Sequence, residues 1–144
     1  MKSSELLLNK IIDFEGCKLT AYKCPAGVWT IGVGHTKGVK QGQTITKAQA
    51  MSLLKGDLLH CENYVNNLGV CKTQGQFDSL VSFSFYLGTA ALGRSTLLKY
   101  IRQGKAEQYS REEFGKWVNS KGMRLKGLVI RRQWEADRYF GKEA

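Results

Sequence analysis

The sequence has a single proline, Pro25, and two histidines, and its 12 acidic residues are outnumbered by 22 lysines and arginines. It also lacks any apolar run near the roughly 20 residues that a membrane-crossing helix needs. The start of the chain, "MKSSELLLNKIIDFEG", breaks its leucines with Glu5, Asn9 and Lys10. Neither an integral membrane segment nor a signal peptide is therefore expected. Four cysteines, at positions 17, 24, 61 and 71, are too few for a disulfide-dense scaffold in 144 residues, which points to synthesis in a reducing cytosol. Repeats, linkers and low-complexity segments are missing as well. One sizeable core is expected, and two full domains are not.

The charge balance is what stands out among the residues present. A formal net charge of +10 and a pI near 9.6 suit a polyanionic partner, whether nucleic acid, anionic lipid or anionic cell wall. The basic residues are spread along the chain without a zinc finger, a base-reading motif or a basic tail. Nucleic acid is therefore the least supported of the three.

Apolar periodicity is mostly helical. Leu6, Leu7, Ile11 and Ile12 fall on one side of a helix that ends near Glu15–Gly16. "KLTAYKCPAGVWTIGVGH" is rich in β-formers and broken at Pro25 and Gly27, so it reads as a hairpin turning at residues 24–27. "TKGVKQGQTIT" is then a loop or an edge strand. Thr46 with Gln49, Thr73 with Gln76 and Ser110 with Glu113 have capping-box spacing. The first of these opens a long helix over about residues 47–66. Further helices carry "QFDSLVSFSFYLG" with a stop at Gly88 and "STLLKYIRQG" between Ser95 and Gly104. The last, "GLVIRRQWEADRYF", spaces Leu128, Ile130 or Arg131, Trp134 and Tyr139 or Phe140 helically. The predicted fold class is α+β, mainly helical. A β-containing lobe over about 14–46 is joined by a connecting helix over about 47–68 to a helical lobe made of 69–144 and the N-terminal helix.

The chemistry concentrates in "EGCKLTAYKCPAGVWT", residues 15–30. Cys17 and Cys24 with His35 do not match a structural zinc site, whose cysteine pairs lie two to four residues apart and need a fourth ligand; no metal or cofactor is expected. Free cysteines are often buried as small apolar residues, a reading that suits Cys17 better than Cys24 beside Pro25 in a turn. Glu15 alone would be a solvated helix-end carboxylate. Its company changes that reading, because a hairpin that brings Cys24 and Thr30 back toward a helix-end acid builds a cleft with an acid on one wall and polar groups on the other.

The segment "FEGCKLTAYKCPAGVWTIGVGHT" resembles the active-site segment of the phage-type lysozymes, the muramidases of glycoside hydrolase family 24. That family's pattern is a glutamate and glycine, eight residues, an aspartate, five residues, then a threonine in "TIGxGH"; Glu15, Cys24 and Thr30 keep both spacings. The resemblance continues through "ITKAQAMSLLKGDL", "QFDSLVSFSFYLG", "STLLKYIRQG" and "FGKWVNSKGMRLKGLVIRRQWE". Cys24 replaces the usual second acid, a variant that a subset of phage lysozymes shares, and Tyr86 replaces part of an "FNxG" pattern.

What the resemblance implies is a lysozyme-like fold and hydrolysis of peptidoglycan between N-acetylmuramic acid and N-acetylglucosamine. Glu15 would be the general acid, its proton retained by partial desolvation. A Cys24 thiolate would act on the opposite face, with activity rising with pH unless basic neighbours such as Lys18 and Lys23 lower its pKa. Thr30 would hold the water, Tyr86 and Gly32 would contact the sugar, and His35 would orient the loop by hydrogen bonding. Cys17 and Cys24, if they face each other across the hairpin, could form a regulatory disulfide. The resemblance also implies an endolysin that is made in the host cytoplasm as a monomer and reaches the wall in the periplasm through a separate holin.

Overall fold

The computed structural model describes residues 1–143. Its elements in chain order are α1 (Glu5–Glu15), β1 (Lys18–Lys23), β2 (Trp29–Gly32), α2 (Lys47–Leu68), α3 (Gln74–Leu87), α4 (Thr89–Gly93), α5 (Thr96–Gln103), α6 (Glu107–Gly115), β3 (Asn119–Ser120), β4 (Met123–Arg124) and α7 (Lys126–Tyr139). The α+β, mainly helical class follows directly. The contacts form two compact units, one of Glu5–His60 and one of Met1–Ser4 with the chain from Cys61 onward. The sequence assigns α1 to the helical lobe; in the structure it groups with the hairpin, and only the four residues before it belong with the later helices.

In the first unit, α1 buries Leu7, Leu8 and Ile11, while Leu6 is 46% exposed. The buried stripe is thus turned by one residue from the expected face, as the 100° step between neighbours requires. The Gly16 amide closes the helix on Ile12 O at 2.7 Å, and Gly16 takes φ +76°, the left-handed stop that glycine adopts without a Cβ penalty. The hairpin β1–β2 is antiparallel, pairing Lys18 with Gly32, Tyr22 with Thr30 and Lys23 with Trp29 across a bulge. Beyond it, Thr44 forms an isolated antiparallel bridge with Thr20, with Ala21 N–H donating to Gln43 O and Ile45 N–H to Leu19 O. Thr46 and Gln49 form a reciprocal capping box at the start of α2, at 3.1 and 2.8 Å.

In the second unit, α3 supplies Phe77, Leu80, Val81 and Phe83, all fully buried. Phe83 meets Phe114 and Trp117 edge-on at centroid distances of 5.9 and 5.6 Å. Thr73 caps α3 through the Gln76 amide, but the Gln76 side chain accepts from Lys72 N–H, so the box is only half formed. The Ser110/Glu113 spacing is not a cap: α6 begins earlier, at Glu107, and both residues are buried within it. The α4 turn and the short β3–β4 hairpin are additions to the predicted elements.

Charge, rather than aliphatic spacing, organises α7. Arg131, Arg132 and Glu135 are buried, whereas Ile130 is 50% exposed. Arg132 grips Glu135 at 2.8 and 3.0 Å, Arg131 approaches it at 3.5 Å, and Ser82 Oγ donates to it at 2.5 Å. Burial pushes the Glu135 carboxyl up, opposed by the two guanidinium groups. Ser79 Oγ donates to Glu135 O at 2.7 Å, tying α3 to α7 a second time. Removing one member of such a cluster strands the others in a dry interior. Glu135→Ala should therefore lower unfolding free energy by about 3–5 kcal/mol, and Thr46→Ala by about 1 kcal/mol, as read by urea denaturation. A loss under 1 kcal/mol for Glu135→Ala would show that the arginines find other partners.

Candidate active site

Glu15 is the last residue of α1 and is exposed, so the partial desolvation predicted for it is not supplied by its own surroundings. Its carboxyl lies beside the turn that follows β2: a Cβ at Gly34 would sit 4.0 Å from Glu15 Oε2. That turn is closed by reciprocal hydrogen bonds of 2.9 Å between the Ile31 and His35 backbones. It carries the chain directly on from Thr30, which is buried in β2.

Cys24 begins the four-residue turn Cys24-Pro25-Ala26-Gly27. The Gly27 amide donates to Cys24 O at 2.8 Å and the Cys24 amide to Val28 O at 2.9 Å. Proline second and glycine fourth are the preferences of a type I turn, and the first position favours aspartate, whose side chain accepts from the amide two residues on. Cys24 occupies that first position. Its pKa is lowered chiefly by the Val28 and Ala26 backbones, against a smaller opposing effect of burial, with the Thr30 hydroxyl adding a lesser contribution in the same direction. Gly27 closes the turn at φ +81°, a conformation that glycine adopts without a Cβ penalty. The stabilisation predicted from lysines thus comes from backbone and hydroxyl donors instead. Lys23 lies with Nζ 5.6 Å from the Trp29 ring centroid.

The structure brings Cys24 and Thr30 together and sets Glu15 against the adjoining turn. His35 is held at both ring nitrogens, Nδ1 2.8 Å from Asp57 Oδ2 and Nε2 2.8 Å from Lys37 O, which anchors the turn beside Glu15 to α2. Asp57 carried no signal in the sequence beyond being an acid on a predicted helix. Gly32 is buried, and a Cβ there would meet Ile45 Cδ1 at 3.4 Å and Ala50 Cβ at 3.5 Å, so it serves packing rather than a sugar contact. Tyr86 belongs to the other unit. It is 41% exposed, with the guanidinium carbons of Arg131 and Arg132 at 5.1 and 5.5 Å from its ring centroid.

The condition for a Cys17–Cys24 disulfide, that the two face each other across the hairpin, is not met. All four cysteines are free, and these two flank the same strand, β1, rather than opposite strands. At about 3.3 Å per residue the strand separates them by roughly 20 Å, against the ~7 Å limit for a disulfide. Cys61 is buried and its thiol is pushed up; Cys71 is pushed up to about 11, also by burial. Among the described residues, no group of three or more His, Cys, Asp or Glu side chains converges as a metal site would require, and no helix is long and apolar enough to cross a membrane.

The first unit thus sets a helix-end carboxyl beside a hairpin whose turn begins at Cys24. The chain belongs to the phage lysozyme family, whose pattern it matches over residues 12–135. It is 41% identical over 140 residues to an endolysin of Acyrthosiphon pisum secondary endosymbiont phage 1, covering 94% of this chain and 95% of that one. It is 40% identical to an endolysin of Bacillus phage PZA but spans only 54% of that protein's length. Its fold superposes on an endolysin from Escherichia coli O157:H7 phage FAHEc1 with TM-score 0.87 and 36% identity, covering 96% and 93% of the two chains. The P1 phage endolysin Lyz matches with TM-score 0.85 in its active form and 0.61 in its secreted inactive form, at 28% and 27% identity; coverage of this chain is 98% and 97%, and of Lyz 86% and 96%.

Two measurements test the Cys24 turn. Near neutral pH, iodoacetamide should label Cys24 well before Cys61 and Cys71, as followed by peptide mass spectrometry. Because the thiolate is favoured, the labelling rate should fall only as pH drops through a value below that of an ordinary thiol. Thr30→Val should shift that profile toward higher pH, and an unchanged profile would show that Thr30 does not act on the sulfur.

Proposed function

We propose that the protein is a muramidase that hydrolyses the β-1,4 bond between N-acetylmuramic acid and N-acetylglucosamine in peptidoglycan and lyses bacterial cells as a phage endolysin. The observation that carries this reading is the turn that opens at Cys24, whose first position a carboxylate would suit and whose Val28 carbonyl accepts from both the Cys24 amide and the Thr30 hydroxyl. Glu15 gives its proton to the glycosidic oxygen, since an alkoxide leaves poorly without one. Its exposure means that the bound sugar, not the protein alone, excludes water from the carboxyl. The Cys24 thiolate stabilises positive charge developing on the opposite face of the ring, and the Thr30 hydroxyl positions water there.

The exposed Tyr86 offers a ring for the glycan. His35, through Asp57, keeps the turn beside Glu15 in place. The protein acts as a monomer and is made in the host cytoplasm, and a holin opens the membrane so that it reaches the wall; membership of the endolysin class supports that route.

Glu15→Gln keeps the shape and removes the proton, so turbidity clearance of permeabilised Gram-negative cells should fall about 10²–10⁴-fold with unchanged thermal unfolding. Retention of more than half the wild-type rate would remove Glu15 from the chemistry. A protein that only binds wall would have no turnover to lose.

Charge at position 24 has its own test. Cys24→Ser should lose most activity at any pH, whereas Cys24→Asp should keep or raise it, because aspartate suits the same turn position. Full activity in Cys24→Ser would make the thiol merely structural.

Oxidation adds a further expectation. A Cys17–Cys24 disulfide can form only if β1 is dismantled, so mild oxidation of the folded protein should leave this pair unlinked, as peptide mass spectrometry without reductant would read, and Cys17→Ser should respond to oxidant as the wild type does.

A further inference from the structure

A cavity of about 400 Å³ in the second unit lies along α5 and has no part in the chemistry above. Its exposed members include Arg94, Lys99, Arg102 and Gln103, and its buried members include Ser95 and Leu98. No aspartate or glutamate lines it. The absence is local to the chain as well as to the groove, since no acid occurs between Asp78 and Glu107. Lys99 and Arg102 are three residues apart on α5, so their side chains share one face of the helix. Arg94 joins them from the junction of α4 and α5. None of the three makes an ion pair within the described residues. Two other arginines of this unit are paired with acids, Arg111 with Glu107 and Asp137, and Arg138 with Asp78 and Glu143, whereas Arg124, like the three in the groove, has no ion pair within the described residues. A groove that gathers three like charges with no internal counter-charge is complementary to a flexible chain of anions.

We propose that this groove binds the phosphate groups of a wall-linked phosphodiester polymer, holding the enzyme on its substrate; this rests on the muramidase reading only in taking the cell wall as the target. Guanidinium groups suit phosphate because they present paired donors, and an ammonium adds a point charge. Three such contacts would each contribute about 0.7 to the dependence of log affinity on log salt, roughly 2 in all.

The test uses the Glu15→Gln protein, so that walls are bound without being consumed, and walls that carry such a polymer, with and without hydrofluoric acid extraction of the phosphodiesters. Arg94→Gln/Lys99→Gln/Arg102→Gln should weaken binding to intact walls at least fivefold, lower the salt slope by about 2, and change nothing on extracted walls. Lys47→Gln/Lys55→Gln/Lys72→Gln removes the same charge elsewhere and should do neither. Without the Glu15 substitution, the groove variant should cleave a short soluble wall glycan at the wild-type rate, so a failed tether and a failed active site give different results.

Should the triple variant not fold, titration of the unsubstituted chain with soluble inorganic polyphosphate should shift the backbone amide resonances of residues 94–103 ahead of others. Equal losses in the two triple variants, equal wild-type binding to both wall preparations, or unshifted amides would overturn the proposal. So would tighter binding to duplex DNA or to phosphatidylglycerol vesicles at matched phosphate.

Discussion

The pair of hydrogen bonds that closes the Cys24–Val28 turn sets everything else at the site. Closing the turn there fixes the hairpin register, and the register puts Thr30 opposite Tyr22 with its hydroxyl donating to Val28 O, the carbonyl that also accepts from the Cys24 amide. The strand then runs straight into the 31–35 turn against which Glu15 is set. A one-residue slip in this pairing would move every side chain of β2 to the other face and take Thr30 from Cys24. The single proline of the chain stands inside that turn, where its fixed φ favours the required geometry.

The second unit rests on a different kind of constraint. Its α3–α7 contact is apolar at Phe77, Leu80 and Phe83, yet its centre is an ionic cluster with no access to water. Such a cluster adds little net stability compared with a well-packed apolar replacement. Its geometry is demanding, however, and Arg131 and Arg132 reach beyond Glu135 to flank Tyr86. The orientation of that exposed ring is therefore tied to a buried charge.

Much of this was legible in the sequence. The hairpin, its turn at residues 24–27, the start of α2 at Thr46 and the stops at Gly88 and Gly104 follow from local rules of turn and cap chemistry, which act over a few residues. The spacing of Glu15, position 24 and Thr30 was readable from the resemblance to the phage-type lysozyme pattern. What escaped depends on partners distant in sequence. Nothing local says that Ser110 lies inside a helix, that Asp57 finds His35, or that Arg132 rather than Ile130 faces inward. Cys17 and Cys24 are near neighbours in the chain, and that nearness misleads, because an extended strand is the conformation that separates its ends most.

The Thr30 hydroxyl has one proton and two claimants. It donates to the Val28 carbonyl at 3.0 Å, and it also stabilises the Cys24 sulfur when that atom is charged. The carbonyl has a second donor, the Cys24 amide, and so keeps a partner when the hydroxyl turns away. The carbonyl is thus satisfied whichever way the hydroxyl points, which makes the hydroxyl the one donor at this turn that a side-chain torsion alone can redirect.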